Sequence, residues 1–535
     1  MDLRPLPRFH QSTAGTLFAV SLLLIFFGIR SMAEPLQCND IFPSTRSHRE
    51  IPKDVLLLEN QMETFLNGTR ILNPSKVFSI SAQILKIMPD HYDARMKYIL
   101  SAMSLGRLKE AHQELTLALK EDPENTNLNI LLAKTLSKIP PDERNENPKK
   151  IAENLYRKGS LKESEWGHLG SLSLWLRDKK LLEKIISKMK SEHPNSEKIL
   201  KLELELLRIE ERDQELLDKS EHLTEGQQKD FEIIELRARA LQHTNKLMEA
   251  LTLIENNIPE DQRPSSLDFL YSDVLFSLRR PQEALVSIDR ALSRKKIPNR
   301  HFLKLRYKIL KVLRMYDESI ALLNSMKQLY PQDQFSVGAM IETQFLKASS
   351  LESSKPEQSA QLFEETYQLT LKAAQGSSNN EFYMKYQART LIKMQRYEDA
   401  LVVLNDLIKN GKNVSDYEDL AVICYLHLDQ FDKALVSSQK LFQLFPKDPV
   451  ILGHLATSLI GLGRYQEAAS RLEQGILSGI SDNFNWINLA RAYEKMGELS
   501  KALEILETIQ KLEPNNMFIQ NKINRILTKQ YKEKK

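Results

Sequence analysis

The stretch that decides the fold spans residues 483–516 and reads NFNWINLARAYEKMGELSKALEILETIQKLEPNN. Apolar residues recur in it three and four positions apart, first on one side of a glycine and then on the other. Such spacing lines one face of a helix, whereas glycine favours a turn and proline ends a helix. The pattern residues are Trp486, Leu489, Ala490, Tyr493, Gly497, Ala502, Leu506, Ile509 and Pro514. The stretch therefore predicts one helix–turn–helix unit.

The same pattern recurs upstream in steps of 34 residues. One step back are Leu452, Leu455, Ala456, Leu459, Gly463, Ala468, Leu472 and Gly475. The second step gives Ala421, Val422, Tyr425, Ala434 and Pro446, and the third gives Ala388, Leu391, Tyr397, Ala400 and Leu404. Residues 381–516 are therefore predicted to form four regular units.

This pattern resembles the tetratricopeptide repeat (TPR) family, whose unit is a 34-residue helix–turn–helix. The resemblance is strong over 381–516 and weaker over about 58–333, where Pro89 and Pro123 lie 34 residues apart and Trp166, Leu169 and Gly170 repeat the start of the motif. It implies an all-α fold, a right-handed α-solenoid (superhelix) of stacked TPR units. Composition agrees, because glycine is scarce and residues that favour helix are abundant.

Charge and cysteine content limit the classes of partner and chemistry. Lys plus Arg number 75 and Asp plus Glu number 71, with the two signs mixed along the chain. No basic block typical of nucleic-acid binding is present, so we expect no nucleic-acid partner. Cys38 and Cys424 are far apart and lack metal-ligand spacing, which excludes a disulfide framework and predicts no metal site.

The regular spacing breaks between 334 and 380, where polar, serine-rich stretches flank two apolar segments. This segment is predicted to be an enlarged unit, or a joint between two superhelical blocks. Residues 55–333 before it are predicted to form an N-terminal TPR-like array with degenerate units. Residues 517–535 are predicted to form a capping helix and tail, with apolar Phe518, Ile519, Ile523 and Ile526 and a polar outer face.

The N-terminus carries the features of an export signal. Arg4 and Arg8 precede the apolar run 17–29, and Ser31-Met32-Ala33 places small residues at a cleavage site. Residues 1–33 are thus predicted to be a signal peptide, followed by a linker over 34–54. The alternative is an uncleaved membrane anchor, because the uncharged stretch 11–29 approaches the length that spans a bilayer. In both cases the repeats would lie outside the cytoplasm, in a periplasmic or extracellular space.

The resemblance implies that a protein or peptide segment binds in a concave groove lined by the first helix of each unit. The candidate groove residues are Lys385, Arg389, Lys393, Asp416, Asp419, Arg491 and Lys495, with Lys304, Lys308 and Lys311 as a further basic strip. These cations suggest an acidic peptide as ligand. The alternative is a solvated helix face, because lysines spaced i, i+4 and i+7 commonly lie there. Chaperone-binding TPR domains have Asn where Arg389 stands and a polar clamp residue at Leu420, so that activity is not implied.

The sequence contains none of the common motifs of catalysis and cofactor binding, such as nucleophile elbows, phosphate-binding loops and zinc-binding helices. We therefore expect a non-enzymatic protein without a cofactor. The leading hypothesis is an exported adaptor that supports assembly of an envelope or secreted complex. A membrane-anchored assembly factor is the alternative. An enzyme that uses 334–380 to complete a site is the third reading.

Overall fold

The computed structural model describes residues 51–67, 70–71, 73–294, 299–330, 333–375, 380–410, 414–480 and 482–533. About 80% of the described residues are helical, which confirms the predicted all-α solenoid. The described residues contain one short antiparallel hairpin, in which β1 (Leu66–Asn67) pairs with β2 (Arg70–Ile71). The predicted signal or anchor segment, Cys38 and the linker up to residue 50 lie outside the described residues.

By internal packing the chain divides into two compact units, one ending at Ile309 and the other beginning at Leu310. The N-terminal unit contains α1 (Lys53–Glu63), β1, β2, α2 (Pro74–Ile87), α3 (Tyr92–Leu105), α4 (Leu108–Glu121), α5 (Thr126–Lys138), α6 (Pro148–Lys158), α7 (Glu163–Trp175), α8 (Lys179–Glu192), α9 (Glu197–Ile209), α10 (Asp213–Lys219), α11 (Glu225–Lys229), α12 (Phe231–His243), α13 (Leu247–Asn257), α14 (Ser265–Ser277) and α15 (Pro281–Ser293). The division falls within α16 (Arg300–Val312).

The C-terminal unit continues with a further series of paired helices. These are α17 (Tyr316–Leu329), α18 (Gln334–Leu351), α19 (Pro356–Ala374), α20 (Asn380–Lys393), α21 (Tyr397–Asn410), α22 (Val414–His427), α23 (Phe431–Leu444), α24 (Pro449–Gly461), α25 (Tyr465–Leu477), α26 (Asn483–Met496), α27 (Leu499–Leu512) and α28 (Met517–Glu533). The four helix pairs from α20 to α27 occupy the segment 381–516.

Each helix packs on its neighbours in sequence, and the first helix of a pair also contacts the first helix of the next pair. In the C-terminal unit this second set of contacts joins α18, α20, α22, α24 and α26 in order. In the N-terminal unit it joins α5, α7, α9, α12 and α14. The first helices of each unit therefore form a continuous layer, to which each repeat adds one helix.

In most helix pairs, the turn between the two helices contains a residue in the left-handed backbone conformation. These residues follow the repeat spacing, as shown by Arg177, Glu211, Asn245 and Arg279 and again by Asp429, Gly463 and Gly497, with φ between 52° and 84°. The turn is fixed by backbone bonds, for example from the Arg280 N–H to the Leu275 carbonyl at 3.0 Å. Glycine adopts this conformation without the steric cost that other residues carry, yet most of the turns use a polar residue instead.

The predicted pattern residues form the core of the C-terminal unit. Ala468, Leu472, Ala502 and Leu506 are almost completely buried between paired helices. Gly475 marks a close approach, because a Cβ there would lie 2.3 Å from a methyl carbon of Leu452. Small residues at these positions let the helices approach, and the larger apolar ones fill the space beside them.

Two segments differ from the sequence expectation. The serine-rich polar stretch predicted from Ser349 to Pro356 is shorter, because α18 stays helical to Leu351 and α19 begins at Pro356. Packing explains the longer helix, since buried Ser359 donates to the Ala348 carbonyl at 2.7 Å. In the capping helix Ile519, Ile523 and Ile526 are buried as predicted, but Phe518 remains 45% exposed, and its ring contacts the Lys522 ammonium rather than the core.

Candidate protein-binding surface

The first-helix layer of the C-terminal unit carries the candidate groove residues, and several of these join one repeat to the next. Lys311 Nζ lies 3.0 Å from a carboxylate oxygen of Glu342, which joins α16 to α18. Lys385 Nζ lies 3.1 Å from Asp416, which joins α20 to α22. Both pairs link residues 31 positions apart. The contacting residues on neighbouring first helices are therefore separated by about one helical turn less than the 34-residue repeat.

Arg389 and Lys393 face α18 rather than open solvent. The Arg389 guanidinium stacks 4.7 Å from the centre of the Phe345 ring, and Lys393 Nζ lies 2.9 Å from Glu352. Cation–aromatic contacts and ion pairs of this kind stabilise the packing of the helices that contribute them. Burial raises the pKa of the Tyr386 hydroxyl in the same interface.

Between α22, α24 and α26 the first helices are joined by a histidine–carboxylate contact and by a neutral hydrogen bond. His454 Nδ1 lies 3.0 Å from Asp419, so this candidate groove carboxylate is also engaged between α22 and α24. Asn488 donates from Nδ2 to the Thr457 hydroxyl at 3.1 Å, across 31 residues between α24 and α26. Each interface between successive first helices in this unit therefore has a polar contact that fixes the register of the two helices.

Several candidate cations of the predicted acidic-peptide groove are already engaged by other residues of the protein. Lys311, Lys385 and Lys393 each hold a carboxylate of the protein itself, and Arg389 is stacked on an aromatic ring. The spacing of residues within one helix could not predict these partners, because they lie on the preceding or the following first helix. For Lys311 and Lys385, the acid that occurs 31 residues later in the sequence could have predicted the ion pair.

The N-terminal unit uses the same spacing in its own first-helix layer. Lys201 Nζ lies 2.6 Å from Glu232, and Gln242 donates to Asp273 at 2.8 Å; both pairs are 31 residues apart. On α16, Lys308 is exposed and Lys304 is half-buried. The strip predicted from Lys304, Lys308 and Lys311 is thus a helix face whose members have different surroundings.

Around α26 and α28 the candidate cations have a different environment. Arg525 forms an ion pair with Glu494 at 2.6 Å, while Lys495 is exposed and Arg491 is half-buried. Burial lowers the pKa of the Lys522 ammonium, and the neighbouring positive charges of Arg525 and Arg491 lower it further. This end of the layer therefore concentrates positive charge.

The described part of the chain has neither a metal-binding cluster nor a membrane-spanning helix. It contains no group of three or more His, Cys, Asp and Glu side chains arranged to hold a metal ion. Among the same residues, no helix combines the length and apolar character needed to cross a bilayer. The candidate anchor at 11–29 lies outside that part.

The fold and its repeated contacts define an α-helical repeat protein. A tetratricopeptide-repeat family model matches residues 485–516. The match lies in the last of the four predicted regular units and agrees with the resemblance of the chain to tetratricopeptide-repeat proteins. A repeat fold of this class indicates a protein–protein interaction scaffold. No curated protein matches the chain.

Several solved structures are similar to this chain at low identity. The Cut9–Hcn1 hetero-tetramer of APC/C provides a chain with 14% identity and a TM-score of 0.34, covering 89% of each chain. A tetratricopeptide repeat protein from Parabacteroides merdae ATCC 43184 has 14% identity and a TM-score of 0.37, covering 48% of this chain and 100% of that one. Naa15/Naa10 bound to HypK-THB gives 13% identity and a TM-score of 0.28, covering 90% and 78%. Likenesses this low say nothing about partners or activity.

Proposed function

We propose that the protein is a non-enzymatic scaffold that binds a segment of another protein along the first-helix layer of its C-terminal unit. The observation that carries the proposal is the unbroken contact of α18, α20, α22, α24 and α26, which presents one extended surface. The apolar pattern residues are buried in the stack and are therefore unavailable to a partner. Polar residues between them, such as exposed Lys495, are available for recognition.

We further propose that the scaffold works after export, in assembly of an envelope or secreted complex. The support is the sequence of residues 1–33, where basic residues, an apolar run and small residues occur in the order of a signal peptide. Retention of 11–29 as a membrane anchor is the alternative, and it leaves the binding role of the repeats unchanged.

Site-specific photocrosslinking tests the binding surface in the full-length protein. A photoreactive residue would replace Lys495, which is exposed on first helix α26, and in a matched variant Lys511, which is exposed on second helix α27. We expect a protein partner from the native source to crosslink at 495 and not at 511. Equal crosslinking at both positions, or crosslinking at 511 alone, contradicts binding along the first-helix layer.

Fractionation and sequencing of the mature N-terminus test the location. A chain starting near Glu34 and recovered outside the cytoplasm agrees with a cleaved signal, whereas an intact N-terminus in the membrane fraction agrees with the anchor. Full-length protein found in the cytosol would contradict both forms of the export proposal.

A further inference from the structure

Several polar contacts between successive first helices of the C-terminal unit share one spacing. Residues 31 apart on adjacent first helices face each other, as the bonds of Lys311, Lys385, Asn488 and Arg525 demonstrate. Three of these four contacts join a cation to a carboxylate, and the fourth joins an amide to a hydroxyl. At this spacing, Arg491 of α26 corresponds to Lys522 of α28, which places two cations at the same kind of position.

The acid beside these two cations is shared with a third cation. The charge of Glu494 raises the pKa of the Lys522 ammonium, against the lowering caused by burial, Arg525 and Arg491. Glu494 is the acid between them along the layer, and it is already engaged by Arg525 at 2.6 Å. Neither Arg491 nor Lys522 forms an ion pair with another described residue. Lys522 is half-buried with its Nζ 4.9 Å from the centre of the Phe518 ring. The positive charge of Arg491 is felt at Lys522, where it helps to lower the pKa of the ammonium.

Two partly buried cations facing each other weaken the docking of the helices that carry them, because like charges repel and burial removes the water that would screen them. At the corresponding position one repeat earlier, Asn488 and Thr457 form a neutral hydrogen bond instead. A ligand that brings a negative charge between α26 and α28 would offset the repulsion and the excess of cations over acids there. Exposed Lys495 on α26 and Lys529 on α28 extend the positive surface around the pair.

We propose that Arg491 and Lys522 bind a side-chain carboxylate of an acidic protein segment, at the C-terminal end of the first-helix layer. The inference rests on the proposed function and gives the chemistry of its ligand. The guanidinium of Arg491 donates two parallel hydrogen bonds to the carboxylate, and the ammonium of Lys522 donates from the facing helix. The ligand thereby bridges the last repeat and the capping helix.

Fluorescence anisotropy with defined peptides tests the proposal on the full chain. The probe is a fluorescein-labelled peptide of eight glutamates with an amidated C-terminus, and the comparison peptide has eight glutamines. A third peptide of eight glutamines with a free C-terminus offers only a terminal carboxylate. We expect binding of the glutamate peptide alone, weakening as salt is added, because screening reduces charge–charge attraction.

Matched double variants separate a specific site from the general positive charge. The variant Arg491→Gln with Lys522→Gln removes two charges from the site, and Lys409→Gln with Lys511→Gln removes two exposed lysines from second helices. Two charge-assisted contacts are lost in the first variant, so we expect its affinity to fall by at least about tenfold. The second variant should change by less than about twofold. Exchange of the cations in Arg491→Lys with Lys522→Arg should retain most of the binding.

A stability measurement accompanies the binding assay and excludes unfolding as the cause. Because the glutamine variant removes a repulsion, its thermal midpoint should be equal to or above that of the parent. Equal affinity of the site variant and the parent overturns the inference, as does equal loss in the second-helix control. Binding only of the peptide with a free C-terminus would also overturn it, since the ligand would then be a terminal carboxylate.

Failure here is distinguishable from failure of the proposed function. If a protein partner crosslinks at 495 but its affinity is unchanged by the glutamine variant, the scaffold role stands and the acidic ligand is wrong. If the glutamate peptide binds as expected but no protein crosslinks along the first helices, the anion site stands and the scaffold role is wrong.

Discussion

Truncation of Leu472 to Ala tests whether the repeat pattern serves folding rather than binding. Leu472 is completely buried on α25 and packs in a cluster that includes Leu452, Leu455 and Leu489. Removal of a buried leucine side chain costs about 3 kcal/mol when the surroundings relax only partly, with a range of roughly 2.7 to 5 kcal/mol. Alanine is a slightly better helix former than leucine, which offsets only a few tenths of a kcal/mol. We expect a net loss of about 3 kcal/mol.

The same helix supplies a matched control. Leu477 is 87% exposed near the end of α25, so its replacement by Ala should change stability by less than about 0.5 kcal/mol. Hydrogen exchange followed by mass spectrometry suits the measurement, because a repeat array loses structure locally and each unit contacts only its neighbours. In the Leu472→Ala variant, exchange over α24–α27 should accelerate by roughly a hundredfold. Equal exchange in the two variants would refute the assignment of Leu472 to the core.

Two further predictions concern a buried thiol and an ion pair. Burial raises the pKa of the Cys424 thiol to about 12. In a Cys38→Ser variant at pH 8, a disulfide reagent should therefore label folded Cys424 roughly a thousandfold more slowly than the unfolded chain, and equal rates would show that the thiol is accessible. For the ion pair, Lys385→Glu should lower the stability of α20–α22 by up to about 1 kcal/mol, and addition of Asp416→Lys should restore most of the loss. If the two effects on hydrogen exchange simply add, the pair is not coupled.

The contact partners of the first-helix cations could not be predicted from the residues of one helix alone. Arg389 was identified as a groove cation from its position in the repeat, and the structure instead stacks it on Phe345 of the preceding first helix. Reversal of Lys385 and Arg389 to Glu would remove positive charge from the candidate groove. Because both residues contact adjacent helices, such reversals are now expected to disturb packing as well. Arg491 and Lys495 are better positions for testing the binding role.

The sequence by itself determined the repeat and the helical class. A 34-residue period with small residues, apolar residues and prolines at fixed positions predicts paired helices, because periodic burial is a property of the chain alone. It also marked the residues that fill the core, including Ala468, Leu472 and Ala502.

Only the tertiary structure decided which polar residues face one another. Adjacent first helices meet with an offset of about one turn, so the ion pairs of Lys311 and Lys385 join residues 31 positions apart rather than 34. This offset pairs Lys311 and Lys385 with acids of the chain itself, and it places Arg491 at the position corresponding to Lys522. Whether a cation on a repeat is neutralised depends on the packing of the next helix, which the periodicity of a single unit does not specify.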